Sequence, residues 1–272
     1  MFHRSKLPIL LLAVAAATAC ATVTKASTTI QSDNFSGSAG SSPSSFWTLS
    51  APSGNPNGAA SVYLSGNNSL DMSVPAGSDA WLNNRSYAPF LTQAVPSTEP
   101  ANYEIDTEVT MNGGSANTDT IGGLIVLGTT NNGQYPFTVS LGLQNGSTFG
   151  AGNTSIQFQV PGNTLDLFNV PSTTPTGGPV YLQLVRNGDT WTANYSLTSN
   201  TSWTTLGSVT DSNLNGQNST SVGLFTKAWS TNSALGTFNY FNSSVVPEPS
   251  SVGVLALGGL GLLLAARRRK PA

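Results

Sequence analysis

The chain has 272 residues, a formal net charge of −2, and one histidine and one cysteine, His3 and Cys20, both near the N-terminus. Residues 27–246 hold neither type, and their three basic residues, Arg85, Arg186 and Lys227, stand against eleven acidic ones, a net charge of −8. The body therefore has no imidazole or thiolate for zinc, no Ser-His-Asp base and no disulfide, which leaves carboxylates as its general acids or bases, and it lacks the cations that a nucleic-acid partner requires.

At the N-terminus, Arg4 and Lys6 precede an apolar stretch over 7–19 and then small residues, the layout of a secretory signal peptide. We expect a signal helix within residues 1–26, removed by signal peptidase after Ala21 or after Ala26. A third reading takes Ala17-Thr18-Ala19-Cys20 as a weak lipobox with Cys20 lipidated.

The body, residues 27–245, is about 220 residues, a size that suits a single all-β domain. Short apolar runs separated by Gly, Asn, Ser, Thr and Pro clusters predict strands over 61–64, 69–74, 90–95, 101–111, 122–127, 137–143, 155–160, 180–186, 190–197, 221–227 and 235–241. Segments 36–45, 112–120, 129–134 and 171–178 read as loops. The strongest alternation lies in 101–111, where Tyr103, Ile105, Val109 and Met111 share one face and Glu104, Asp106 and Glu108 the other. Asn187-Gly188-Asp189 predicts a tight hairpin turn that makes 180–186 and 190–197 antiparallel neighbours.

At the C-terminus, Pro247-Glu248-Pro249 opens onto an uncharged Gly/Leu/Ala run and then Arg267-Arg268-Arg269-Lys270. The 18 residues of 249–266 would extend ~27 Å as a helix, nearly the ~30 Å of a bilayer core. Four cations after it hold the tail in the cytoplasm and the rest of the chain outside. This ending resembles the PEP-CTERM sorting signal of Gram-negative bacteria. The resemblance implies a membrane-anchored precursor, held by a C-terminal transmembrane helix in residues 246–272, recognised by exosortase and destined for the cell surface or the extracellular space.

The body carries a second resemblance. Its pieces are Asp33-Asn34-Phe35-Ser36 with Phe46-Trp47, then Ala88-Pro89-Phe90-Leu91-Thr92-Gln93, Tyr103-Glu104-Ile105-Asp106-Thr107-Glu108-Val109 and Gly122-Gly123-Leu124-Ile125-Val126. Tyr181-Leu182-Gln183-Leu184-Val185-Arg186, Tyr195-Ser196 with Trp203, Val222-Gly223-Leu224-Phe225 and Phe238-Asn239-Tyr240-Phe241 follow. In that order they resemble a concanavalin A-like jelly roll of the laminin-G or β-xylosidase-accessory type, which implies a sandwich of two antiparallel sheets. The usual Asp-Gly turn before Trp203 is replaced by Ser199-Asn200-Thr201.

Glu104-Ile105-Asp106-Thr107-Glu108 also resembles the Glu-Ile-Asp-x-Glu signature of jelly-roll laminarinases and lichenases. That resemblance implies Glu104 as nucleophile and Glu108 as acid/base, for a retaining mechanism with carboxyls ~5–5.5 Å apart. The family's Trp-rich approach to the motif is missing, and the motif comes early in the strand order. The same three acids are weak calcium candidates; otherwise no cofactor is expected. Trp81 and Trp229 are candidate sugar platforms, because pyranose CH groups pack on aromatic faces, whereas Trp47 and Trp203 read as core. The leading expectation is an exported surface or matrix protein that binds polysaccharide without chemistry. A β-glucan hydrolase acting through Glu104 and Glu108 and a purely structural biofilm protein are the alternatives.

Overall fold

The computed structural model describes residues 30–51, 53–79, 87–95, 102–112, 120–128, 138–145, 154–160, 166–174, 178–210, 219–229 and 232–245. They form strands β1 (Thr48–Ser50), β2 (Ser61–Leu64), β3 (Leu70–Val74), β4 (Phe90–Ala94), β5 (Asn102–Asn112), β6 (Thr120–Gly128) and β7 (Thr138–Asn145). After these come β8 (Thr154–Val160), β9 (Asp166–Thr174), β10 (Val180–Asn187), β11 (Thr190–Ser196), β12 (Thr204–Thr210), β13 (Ser219–Ala228) and β14 (Ala234–Val245).

The strands build two seven-stranded antiparallel sheets. The first runs β1-β4-β13-β6-β7-β8-β9 and the second β12-β11-β10-β5-β14-β3-β2. Strands β5 and β14 of the second sheet face β6, β7 and β13 of the first. Alternation decides what lies between them: Tyr103, Ile105, Val109 and Met111 of β5 turn inward against Leu124, Leu141, Phe158, Leu224 and Phe238, all buried. This is the two-sheet, all-β arrangement expected from the sequence. The expected signal helix and transmembrane helix fall outside the described residues, as do Pro247-Glu248-Pro249 and the basic tail, and no described residue is helical.

The hairpin between β10 and β11 forms at the predicted place. Asn187 pairs with Thr190, and Gly188 takes a φ of 58° at the first central position of the two-residue loop, where glycine has no Cβ to clash. Its amide donates to Asn102 Oδ1 at 2.9 Å, which ties the turn to the start of β5.

Three strands depart from the sequence reading. Strand β9 takes residues 171–174 out of the expected loop, and β1 and β12 form in segments to which no strand was assigned. Pairing explains β9, whose backbone lies along β8 from Val160↔Asp166 to Thr154↔Thr174. Trp203 is half-buried and stands outside the core, whereas Trp191 is a core residue at 2% exposure. Trp47 is core as expected: it packs edge-on to Phe241 with ring centroids 5.1 Å apart.

Candidate functional site

Strand β5 is the centre of the second sheet, with β10 on one side and β14 on the other. Antiparallel register sets Glu104 between Val185 and Ser244, Asp106 between Gln183 and Asn242, and Glu108 between Tyr181 and Tyr240. All three carboxylates lie on the outward face, half-buried.

Each carboxylate is engaged from the side. Ser244 Oγ donates to Glu104 Oε1 at 2.7 Å and Gln183 Nε2 to Glu104 Oε2 at 3.3 Å. Asn242 Nδ2 donates to Asp106 Oδ1 at 3.3 Å, and Asn239 Nδ2 to Glu108 Oε1 at 2.7 Å. Asn239 reaches Glu108 because β14 bulges between Phe238 and Tyr240, which turns the extra residue outward. The network continues sideways, with Asn194 Nδ2 donating to Gln183 Oε1 at 2.8 Å and Thr205 Oγ1 to Asn194 Oδ1 at 2.9 Å. One chain of hydrogen bonds thus crosses β12, β11, β10, β5 and β14.

Burial lifts the Asp106 carboxyl above the ordinary aspartate range; the Asn242 amide opposes the rise and the Glu104 charge adds to it. Tyr240 lies beside it, and burial followed by the Asp106 charge pushes its hydroxyl well up. Glu104 and Glu108 are four residues apart on an extended strand, about 13 Å at ~3.3 Å per residue. A retaining pair needs ~5–5.5 Å and an inverting pair ~6.5–9.5 Å. Side-chain bending is the only way to close that gap, and the two glutamates are bent toward different partners. Among the described residues no group of three or more His, Cys, Asp or Glu side chains is placed to hold a metal ion.

Of the two candidate tryptophans, only Trp229 is among the described residues. Trp229 follows the end of β13 and is 47% exposed, and Trp81 lies outside the described residues. The body's cations have structural roles where they are described. Arg186 Cζ lies 5.9 Å from the Tyr103 ring centroid and 5.6 Å from that of Trp191, and its Nε donates to the Gly188 carbonyl at 3.1 Å. Lys227, 3% exposed, pairs with Asp79 at 3.9 Å.

A second polar surface was not read from the sequence. On the outward face of the first sheet, Ser140, Gly142 and Gln144 of β7 stand opposite Gln159, Gln157 and Ser155 of β8. Gln144, Gln157 and Gln159 are buried, although they point away from the core. The alternation of Ser155, Gln157 and Gln159 with Ile156, Phe158 and Val160 was the available signal. It reads as an ordinary strand with a wet face, and nothing local says that the polar face is withdrawn from water.

The family description that matches the chain is the PEP-CTERM protein-sorting motif, over residues 245–270. No curated protein sequence matches it significantly. Among solved structures, a xylan β-1,4-xylosidase from Bacillus halodurans is similar at a TM-score of 0.55 and 16% identity, over 78% of this chain and 38% of that one. This chain thus spans well under half of the xylosidase's length. An immunostimulatory antigen and pseudo β-1,3-glucanase of Mycobacterium tuberculosis is similar at 0.51 and 12%, over 80% and 99%. A protein of unknown function from Saccharomyces cerevisiae is similar at 0.53 and 11%, over 75% and 98%. At such identities the likeness is one of fold. The chain carries a PEP-CTERM protein-sorting motif behind a β-sandwich whose solved neighbours are jelly-roll, glucanase-like folds.

Proposed function

We propose that the protein is an exported, non-catalytic glycan-binding sandwich that exosortase sorts to the cell surface or the extracellular matrix. The observation that supports it is the engagement of Glu104, Asp106 and Glu108 by separate donors on β14 and β10. A general acid and its partner act on one bond from two sides, whereas Glu104 and Glu108 stand four residues apart on one strand and are held by different partners. Two of the fold neighbours are a xylan β-1,4-xylosidase and a pseudo β-1,3-glucanase, which directs the choice of first probes to neutral β-glycans.

The test is retention and hydrolysis of laminarin, a soluble β-1,3-glucan, and of soluble xylan by the full chain in detergent, with and without calcium. Retention without released sugar, indifferent to calcium, is the expected result. Released sugar that disappears in Glu104→Gln while the melting temperature is kept would install the hydrolase reading in its place. The raised carboxyl of Asp106 between two glutamates is the feature that favours that alternative. Neither retention nor product would leave a structural matrix protein.

A further inference from the structure

The geometry points to the outward face of the first sheet as the seat of a neutral glycan, with the Gln159 amide as a donor to one of its hydroxyls. This inference rests on the glycan-binding reading and gives it a place.

Gln159 is 6% exposed, its Oε1 accepts from Ser140 Oγ at 3.5 Å, and its Nε2 is buried with no hydrogen-bond partner. Folded proteins rarely leave a buried donor unused, because its lost hydration is uncompensated, so an orphan amide on a polar surface marks a place for a ligand acceptor. The rest of the surface has matching chemistry. Ser155 Oγ and Gln157 Nε2 both donate to Gln144 Oε1, at 3.1 and 3.5 Å, so the row is made of amides and hydroxyls that each offer a donor and an acceptor. A sugar hydroxyl has the same dual character.

Charge narrows the class of ligand. The described outward side chains of β7 and β8 are Ser140, Gln144, Ser155, Gln157 and Gln159, none of them ionisable. Among the described residues the cation of this sheet, Lys227, is paired with Asp79. An anionic polymer would have to bury its charge here without a counterion, whereas a neutral one would not.

An aromatic ring lies next to the amides. Phe225 is registered against Gly123, and Gly123 against Gly142. The Phe225 Cζ comes within 3.3 Å of the point where a Gly142 Cβ would stand. The ring therefore lies along the sheet across two strands, which side chains at 123 and 142 would prevent. The ring is itself buried, packed with Phe90, Ile121 and Ile125, so it borders the amide row as an apolar wall.

The decisive variant is Gln159→Met, which keeps the length of the side chain and removes the amide. Binding of laminarin and xylan to the full chain in detergent is expected to weaken at least tenfold, with the melting temperature unchanged or higher because an unpaired buried donor is gone. Thr192→Ala, on the outward face of the other sheet, is expected to bind as the parent does. Parent-like binding by Gln159→Met overturns the placement. A drop in its melting temperature larger than that of Ser140→Ala, which removes the same contact to Oε1, or failure to fold, overturns it as well, because Nε2 would then have a structural partner. If the parent chain itself retains neither glycan, the glycan-binding reading falls, a failure distinct from that of the location alone.

Discussion

The Asp33 carboxylate receives the Phe35 amide at 2.8 Å on Oδ1 and Trp47 Nε1 at 2.9 Å on Oδ2. Phe35 is thereby held at a φ of 52°, a left-handed conformation that an aromatic residue adopts only when its surroundings impose it. Asp33→Ala orphans both donors and releases that constraint, and should cost about 3 kcal/mol in urea denaturation. Asp106 behaves in the opposite sense, because burial raises its carboxyl above the ordinary value of 3.8. The folded state then binds the proton more tightly than the unfolded one, so the contribution of this group to stability is present in acid and is lost as pH rises from about 3.8 through the raised value. Asp106→Asn keeps an oxygen toward Asn242 and has no such dependence. Its stability relative to the parent should therefore increase between pH 3 and pH 7, and denaturant midpoints measured at both values check the sign.

At the level of the elements, the β10–β11 hairpin depends on Gly188. A Cβ there meets nothing within 4 Å, so Gly188→Ala carries only the cost of the positive φ, about 1 kcal/mol by thermal or chemical melting, and Gly188→Asn should cost less. The strands that were legible in the sequence are those whose two sides are paired, together with β2, because one face of each must be apolar. The three that were missed, β1, β9 and β12, are all at sheet edges. β12, Thr-Thr-Leu-Gly-Ser-Val-Thr, is largely exposed and shows no apolar period. β9 contains Pro171, which an edge tolerates because one side of the strand has no ladder to complete. The acidic row could be read from local alternation. Its partners could not: Asn239, Asn242 and Ser244 lie 131, 136 and 140 positions away from the acids they bind. Their positions depend on the pairing of β14 with β5 and on one bulge, and local periodicity carries neither.

Across the whole molecule, the two ends of the described body meet. Asp33 and Phe241 exchange both backbone hydrogen bonds at 2.8 Å, the Ser243 amide donates to Ser32 Oγ at 3.0 Å, and Ile30 just before them is fully buried. The matched sorting motif begins at residue 245, the last of β14, and Pro247-Glu248-Pro249 follows two residues on. The precursor is therefore tethered close to one end of the sandwich, while Trp229 stands near the start of β14, a strand of 12 residues or about 40 Å at ~3.3 Å per residue. That geometry sets the direction of any load. Matrix gripping the far end and a tether pulling at the near end would draw β14 along its own length. β14 is hydrogen-bonded on one flank to β5 and on the other to β3. Tension along it acts on both ladders in shear, so their bonds must fail together and cannot unzip one at a time. The polypeptide is strung so that the strand leading to the sorting motif is itself braced by a ladder on each flank.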